Sequence, residues 1–194
     1  MKDAKELTLS TTSDPFGSRV CRNLIKSAAE KYPKLRFNIM TNGILCDEYN
    51  LKELGIWGRI NKIMFSVHAS NPQTYEKVVK YGNFEKVAEN LKLMSELRKN
   101  NEIGDLYLGF VVTSKNFEDI PEFCEFAKNN NAVALFWMCR DWGGNLDNSD
   151  EPLEVWKREH PKFKDLQRVL KSITLETEYS HFNPYLLYLR NADV

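Results

Sequence analysis

The feature that most constrains this chain is a repeated alternation of strand-like and helix-like segments joined by short connections. Apolar, β-branched runs of strand length occupy 6–12, 36–43, 61–69, 106–113 and 132–140. Apolar residues recur at helical spacing between most of these runs. Strand–helix–strand alternation predicts an α/β fold with a parallel sheet, open or closed, and right-handed crossovers.

Four helical stripes are predicted from the apolar spacing. Their members are Val20, Leu24, Ile25 and Ala28; Phe84, Val87, Leu91, Met94 and Leu97; Ile120, Phe123, Cys124 and Ala127; and Leu166, Val169, Leu170 and Ile173. Residues 141–152 are rich in Gly, Asn and Asp and predict a loop, and the aromatic end of the chain predicts an irregular docked tail. We therefore expect a partial barrel over 1–150, with a C-terminal helix and aromatic tail over 151–194 packed on the same domain.

Composition excludes several classes of protein. The 194 residues, 42% of them hydrophobic, suffice for a buried core. The 27 basic residues balance the 27 acidic ones, which disfavours a nucleic-acid binder that works by phosphate neutralisation. No apolar run approaches the roughly 20 residues of a membrane span, and the first residues lack the apolar core of a signal peptide. We expect a cytoplasmic protein without a membrane partner.

The four cysteines do not predict a metal site within the chain. Cys21, Cys46, Cys124 and Cys139 lie far apart, without the short spacings typical of zinc or iron–sulfur ligands. Cys21, Cys46 and Cys124 fit small core or helix-face positions. In a cytoplasmic protein, we expect all four thiols to be reduced.

The first three predicted strands each carry one apolar and one mixed-polar face, since residues two apart share a face. The polar positions are Thr8 and Ser10, then Asn38 and Asn42, then Ser66 and His68. The apolar face should pack on the helices, and the polar face should line a concave interior that holds water or a polar ligand. Alternatively, these side chains satisfy one another in a packed interior. Ligand sites of α/β proteins lie at the carboxyl ends of parallel strands, which favours a site.

Five segments carry a resemblance to a known family. They are LTLSTTSDPFGS, NIMTNGILCDEYNLKELG, KIMFSVHASNPQTYEKVVKYGNFEKVAENLKLM, LGFVVTSKNFEDIPEFCEFAKNN and FWMCRDWG, in that order. Over 6–141, and more weakly to 173, the chain resembles the radical S-adenosylmethionine (radical SAM) enzymes. The resemblance implies a partial (β/α) barrel of parallel strands, a TIM-barrel-like radical SAM core. It also implies SAM and a [4Fe–4S] cluster as cofactors, with SAM cleaved to a 5′-deoxyadenosyl radical that abstracts hydrogen from a substrate.

The resemblance also implies which residues contact SAM. They are Thr12, Ser13 and Asp14 after the first strand, Asn42 after the second, and Ser66 and His68 on the third. In the family, glycines stand at the positions of Thr12 and Ser13, an Asp at His68 and an Arg at Val79. The substrate is unknown, and we assign no catalytic residue.

The C-x-x-x-C-x-x-C motif that holds the cluster in this family is absent from the 194 residues. We therefore expect a fragment of a radical SAM enzyme, starting at the family's second strand, that binds no cluster and is inactive alone. The alternative is a degenerate, non-catalytic α/β module that binds a partner or a small polar ligand. A Rossmann-like nucleotide binder is disfavoured because no G-x-G-x-x-G follows any strand.

A missing first strand would leave an unpaired sheet edge, which is an aggregation liability. We expect the aromatic tail or another copy of the chain, in a homo-oligomer, to cover it. Three of the candidate site residues also have structural interpretations. Asp14 suits the N-cap of the following helix, Asn42 suits its Asn-Gly turn, and His68 suits a buried, hydrogen-bonded position.

Overall fold

The computed structural model describes residues 4–9, 13–140, 152–174 and 178–192. Ser10, Thr12 and nearly all of the predicted loop at 141–152 lie outside the described residues. The strands are β1 (Glu6–Leu9), β2 (Arg36–Thr41), β3 (Ile60–Ser66), β4 (Asp105–Val112), β5 (Val133–Met138) and β6 (Ser180–Phe182). The helices are α1 (Arg19–Lys31), α2 (Glu48–Glu53), α3 (Pro72–Val78), α4 (Phe84–Lys99), α5 (Ile120–Asn129), α6 (Phe163–Ser172) and α7 (Pro184–Asn191).

The six strands form one sheet in chain order, β1-β2-β3-β4-β5-β6. The pairs β1/β2, β2/β3 and β5/β6 are parallel, with Leu7 opposite Phe37 and Ile39 opposite Ile63. This confirms the predicted α/β fold with a parallel sheet. Five strands were predicted, and β6 is the sixth. Sequential order is the topology of a (β/α) barrel, whereas a doubly wound sheet reverses its strand order part-way.

The described residues divide into two compact units. The first comprises Met1–Val67, Asn83–Tyr107 and Asn130–Ala132, and the second comprises the rest. In the first unit the apolar strand face is buried as predicted, with Phe37 and Ile63 fully inaccessible. Three helices of this unit contribute buried residues, including Ile25 from α1, Leu51 from α2 and Leu91 from α4.

The predicted stripe of α1 is half wrong. Val20 is 78% exposed and Leu24 is 46% exposed, whereas Ile25, Ala28 and Ala29 are buried. Successive helical residues differ by about 100° around the axis, so the face centred on Ile25 turns Leu24 outward. The small Ala28 and Ala29 side chains share the buried face with Ile25. The helix therefore buries the face with Ile25, Ala28 and Ala29 and leaves the larger Val20 and Leu24 side chains exposed.

The second unit is built on an aromatic core. Phe110 lies 4.7 Å from Phe123 and 5.3 Å from Phe136, between ring centroids. Phe136 in turn stacks on Phe182 at 4.2 Å with an interplanar angle of 8°. Such ring pairs contribute about 0.5–1.5 kcal/mol each beyond their buried area. They tie β6 to β5.

The prediction of an irregular tail is wrong, because this segment forms β6 and α7. Asn183 caps α7, its Oδ1 accepting a hydrogen bond from the Tyr185 N–H at 2.9 Å, and Pro184 occupies the first helical turn. Gln167 of α6 donates from Nε2 to the Leu189 carbonyl at 3.1 Å. The tail's strand lies beside β5, so it does not pair with β1. No helix in the described part of the chain is long and apolar enough to cross a membrane.

Candidate functional site

In the first unit, Asp14 organises the loop that leads from β1 to α1. Its Oδ1 accepts hydrogen bonds from the N–H groups of Phe16 (3.0 Å) and Gly17 (3.4 Å). Its Oδ2 accepts from the Thr41 hydroxyl (2.6 Å) and from the Asn42 N–H (2.7 Å). A carboxylate has about four acceptor sites, and these four bonds use them. Asp14 therefore joins the loop after β1 to the end of β2.

Asp14 is not the N-cap of α1. That position belongs to Ser18, whose Oγ accepts from the Cys21 N–H at 3.4 Å. The capping interpretation was therefore wrong by four positions along the chain. Asp14 instead closes the turn before the helix, where Asp is favoured because its side chain bonds the backbone two residues ahead.

The turn after β2 is fixed from three sides. The Asn42 Oδ1 accepts from the Ile44 N–H at 3.0 Å, and Thr41 Oγ1 accepts from the Gly43 N–H at 3.1 Å. Gly43 has φ +84°, and a Cβ there would lie 2.4 Å from a ring carbon of Phe65. The turn interpretation of Asn42 is confirmed. Its Nδ2 group has no hydrogen-bond partner in the described chain, so it can donate to a ligand.

Asn90 holds the same turn, and sequence reasoning missed it. It is buried in α4, and its Nδ2 donates to the carbonyls of Gly43 (2.8 Å) and Ile44 (2.9 Å). The available signal was an amide at a core-facing position among Val87 and Leu91, because buried amides are almost always hydrogen-bonded.

Polar side chains on the first two strands partly hydrogen-bond to one another. Asn38 Nδ2 donates to Glu6 (2.8 Å) and to the Thr8 hydroxyl (3.3 Å), and Asn38 Oδ1 accepts from Asn61 (3.2 Å). These bonds match the mutual-satisfaction interpretation. Ser66, half-buried at the end of β3, has a hydroxyl without a hydrogen-bond partner among the described residues. Among the predicted site residues that the structure describes in this unit, Asn42 and Ser66 thus keep a side-chain donor available.

In the second unit, His68 lies beyond the end of β3, and its ring hydrogen-bonds to the backbone of β4. Its φ is +65°, which is rare for a residue with a side chain. Its N–H donates to the Gly109 carbonyl (3.0 Å), and its ring Nδ1 accepts from the Val111 N–H (3.1 Å). The imidazole therefore replaces a strand carbonyl as the partner of Val111.

Burial and the hydrogen bond to Val111 together determine the protonation state and the tautomer of His68. Burial lowers the pKa of His68 to about 4, so the ring is neutral at pH 7. Since Nδ1 accepts a hydrogen bond, the remaining proton lies on Nε2. Nε2 is thus a neutral donor, and it has no hydrogen-bond partner within the described ranges. The hydrogen-bonded interpretation of His68 is confirmed, with one donor left for a ligand.

Asn116 anchors the loop after β4. Its Nδ2 donates to the carbonyls of His68 and Val111, both at 3.0 Å. Its Oδ1 accepts from the Thr113 N–H (2.8 Å) and hydroxyl (2.9 Å). This buried amide makes four hydrogen bonds and fixes the backbone of His68.

Asp119 anchors the segment that follows His68. Its carboxylate accepts from the Ser70 N–H (2.6 Å), the Ser70 hydroxyl (2.5 Å) and Asn71 Nδ2 (3.0 Å). Burial raises the pKa of Asp119, although the two Ser70 hydrogen bonds act to lower it. Asn71 in turn caps α3 through the Thr74 N–H at 2.9 Å. No local pattern indicates this contact, because 49 residues separate Ser70 from Asp119.

Two groups of known proteins are similar to the chain, although no family model matches it. A probable GTP 3′,8-cyclase of Methanocaldococcus jannaschii is 29% identical over 98 residues, which cover 50% of this chain and 30% of that protein. A probable GTP 3′,8-cyclase of Saccharolobus islandicus is 24% identical over 156 residues, 76% of this chain and 44% of that protein. GTP 3′,8-cyclases are radical SAM enzymes. These similarities support the radical SAM superfamily. The chain spans less than half the length of these relatives.

A radical SAM cluster needs three thiolates, and the described residues do not fit one. They contain no group of three His, Cys, Asp or Glu side chains that could hold a metal ion. Cys46 and Cys139 are buried, and burial, reinforced by the negative charges of Asp14 and Asp47, raises the pKa of the Cys46 thiol well above its usual value. A raised pKa disfavours the thiolate that iron requires.

For SAM, the donor set is compatible. SAM carries a carboxylate, ribose hydroxyls and adenine nitrogens, all of which accept hydrogen bonds. Asn42 Nδ2 and Ser66 Oγ in the first unit, and the His68 Nε2–H in the second, are donors at strand ends. Of the other predicted contacts, Thr12 lies outside the described residues and the Asp14 carboxylate is saturated by its own loop and by β2.

Proposed function

We propose that the chain is the SAM-holding part of a radical SAM enzyme. The observation that carries this proposal is the 24% identity to a GTP 3′,8-cyclase over 156 residues, because that alignment covers 76% of the chain. When bound, SAM and a [4Fe–4S] cluster supply a 5′-deoxyadenosyl radical that abstracts hydrogen from a substrate.

The proposed SAM contacts remain Thr12, Ser13, Asp14, Asn42, Ser66 and His68. Asn42 and Ser66 act as direct donors, and His68 donates from Nε2. Asp14 acts by fixing the loop backbone, since its oxygens already accept four hydrogen bonds.

The cluster ligands of the intact enzyme lie, in this proposal, on a segment that precedes these 194 residues. No C-x-x-x-C-x-x-C occurs within them, and the thiolates that hold a cluster cannot be replaced by the buried Cys46. The coding sequence upstream of Met1 tests this. An in-frame cysteine triplet within one βα unit, about 30 residues or somewhat more, supports the enzyme. A stop codon without a triplet contradicts it.

Binding of SAM to the purified chain tests the site. Isothermal titration with SAM should show saturation, and Asn42→Asp should weaken it at least fivefold. Aspartate keeps the oxygen that accepts from Ile44 but removes the amide donor that is proposed to bind SAM. Asn83→Asp is the matched control, because Asn83 is exposed and caps α4 through Oδ1 in the same way. No saturation at millimolar SAM, or equal affinity of the two variants, contradicts the assignment.

A non-catalytic α/β module is the second candidate. It is favoured by the engagement of Asp14 with its own turn, which leaves its carboxylate no lone pair for a ligand. On this reading the strand ends bind a small polar ligand without chemistry. Cytoplasmic location, the lack of nucleic-acid and membrane partners, and association of copies through the sheet edge remain predictions in both cases.

A further inference from the structure

A groove opens in the second unit at the carboxyl end of β5. A cavity of about 480 Å³ is lined by Met138, Arg140, Trp156, Asn183, Pro184 and Tyr185. A second cavity of about 260 Å³ shares Met138, Arg140 and Asn183 with it and adds Trp137. Because they share three lining residues, the two cavities form one surface, which we call the β5 groove. Its volume is in the range of small-molecule sites.

Aromatic rings form one side of the β5 groove, and they are held in place. Trp156 donates from Nε1 to the Cys139 carbonyl at 2.6 Å. The N–H of Cys139 in turn donates to the Val112 carbonyl at 3.1 Å. Tyr185 meets Trp156 edge to face, with centroids 5.8 Å apart and planes at 86°. Fixed rings of this kind offer a flat apolar surface to a planar ligand at little entropic cost.

The polar groups of the groove are donors. Arg140 is exposed and makes no hydrogen bond or ion pair with the described residues. Asn183 uses Oδ1 to cap α7, which leaves its Nδ2 group as a donor. The N-terminus of α7 adds a partial positive charge beside them. Lys157 lies 5.7 Å from the Trp156 ring centroid and is ion-paired with Glu154.

Among the residues that the structure describes, the lining of both cavities includes neither Asp nor Glu. A site with rigid rings, a guanidinium and an amide donor is complementary to a planar anion. The guanidinium fork matches a carboxylate or a phosphate through paired N–H bonds.

We propose that the β5 groove binds a planar ring that carries a carboxylate or a phosphate. Trp156 and Tyr185 hold the ring, and Arg140 and Asn183 hold the anion. Substrate sites of parallel α/β folds lie at the carboxyl ends of strands. The groove is therefore the substrate pocket of the enzyme proposed above, and that role, though not the binding itself, rests on the proposed function.

Calorimetric titration of the purified chain, without SAM, tests the proposal. The probes are indole-3-acetate for an aromatic carboxylate and GTP for a ring that carries phosphates. We expect saturable binding of one of them, weakened about tenfold by Arg140→Gln. Arg168→Gln is the matched control, since Arg168 is an exposed residue of α6 paired with Asp165, and it should bind as the wild type does.

The probe that binds identifies the anion, carboxylate or phosphate. Indole-3-acetamide and guanosine, which lack the negative charge, should bind at least tenfold more weakly than the matching anion. The proposal is overturned if the neutral analogues bind with equal affinity, if Arg140→Gln binds as tightly as the wild type, or if neither anion saturates the protein. A failure to bind SAM would contradict the proposed function while leaving the groove intact, so the two failures are distinguishable.

Discussion

Replacement of Asp14 by Asn will lower the free energy of unfolding by about 2–3 kcal/mol. The amide keeps the oxygen that accepts from Phe16 and Gly17, but its nitrogen replaces Oδ2 and cannot accept from the Asn42 N–H. The Thr41 hydroxyl must also reverse its direction, although it already accepts from Gly43. A hydrogen bond to a charged group contributes about 1.5–3 kcal/mol, and one such bond is lost outright while a second becomes neutral.

Urea denaturation at pH 7 measures this change from the midpoint and slope of the transition. Asp165→Asn is the control, because Asp165 lies on the surface of α6 in an exposed pair with Arg168, where a change of less than about 0.5 kcal/mol is expected. An Asp14→Asn protein within 0.5 kcal/mol of wild type would refute the inference that this carboxylate joins the loop to β2.

A double-mutant cycle separates the Asp14–Thr41 bond from general damage to the loop. Thr41→Val removes the buried hydroxyl that donates to Asp14 at 2.6 Å. If the two side chains act through that bond, the effects of the single variants will fail to add by about 1 kcal/mol or more. Additive effects would show that each residue acts on the loop independently.

Three further predictions concern the turn, the histidine and the cluster. Gly43→Ala should destabilise the protein by more than 2 kcal/mol because the new Cβ would lie 2.4 Å from the Phe65 ring, whereas Gly58→Ala, at φ +70° in open space, should cost only about 1 kcal/mol in thermal melts. Because the pKa of His68 is lowered to about 4, the unfolded chain binds a proton more readily below pH 6.5, so stability is full above that pH and falls by roughly 2 kcal/mol between pH 7 and pH 5. In urea titrations His68→Asn should flatten that dependence, and an unchanged slope would contradict it. Anaerobic reconstitution of the purified chain with iron and sulfide should give no stoichiometric cluster absorbance, and a stable cluster would contradict the assignment of its ligands to another segment.

Strand positions were predictable from the sequence because burial of one face imposes strict alternation. Phe37, Ile39 and Ile63 are buried as the pattern requires. The strand ends were less predictable. The strand expected over 61–69 ends at Ser66, because His68 at φ +65° bonds β4 with its ring as well as its backbone. A positive φ at a non-glycine residue depends on partners distant in sequence, which local pattern does not contain.

Two other failures have the same origin in tertiary packing. The apolar spacing of α1 allows either a face with Leu24 or a face with Ile25, and in the fold Ile25 is buried together with Ala28 and Ala29. The end of the chain was predicted to be irregular because a strand of three residues gives little sequence pattern. In the structure, the Phe182 ring stacks on Phe136 with centroids 4.2 Å apart, and Phe182 belongs to the sheet.

The candidate site shows why polarity at strand ends overstates the number of ligand contacts. Parallel strands end in backbone groups that need hydrogen-bond partners. The side chains of Asp14, Asn116 and Asp119 bond to such backbone groups at or near the strand ends. The groups that keep a donor are few, the Nδ2 of Asn42 and the Nε2 of His68 among them. Variants of the first set should lower stability and ligand affinity together. Variants of the second that keep the structural bond, as Asn42→Asp does, should lower ligand affinity more than stability. That difference distinguishes a residue that holds the site in place from one that contacts the ligand.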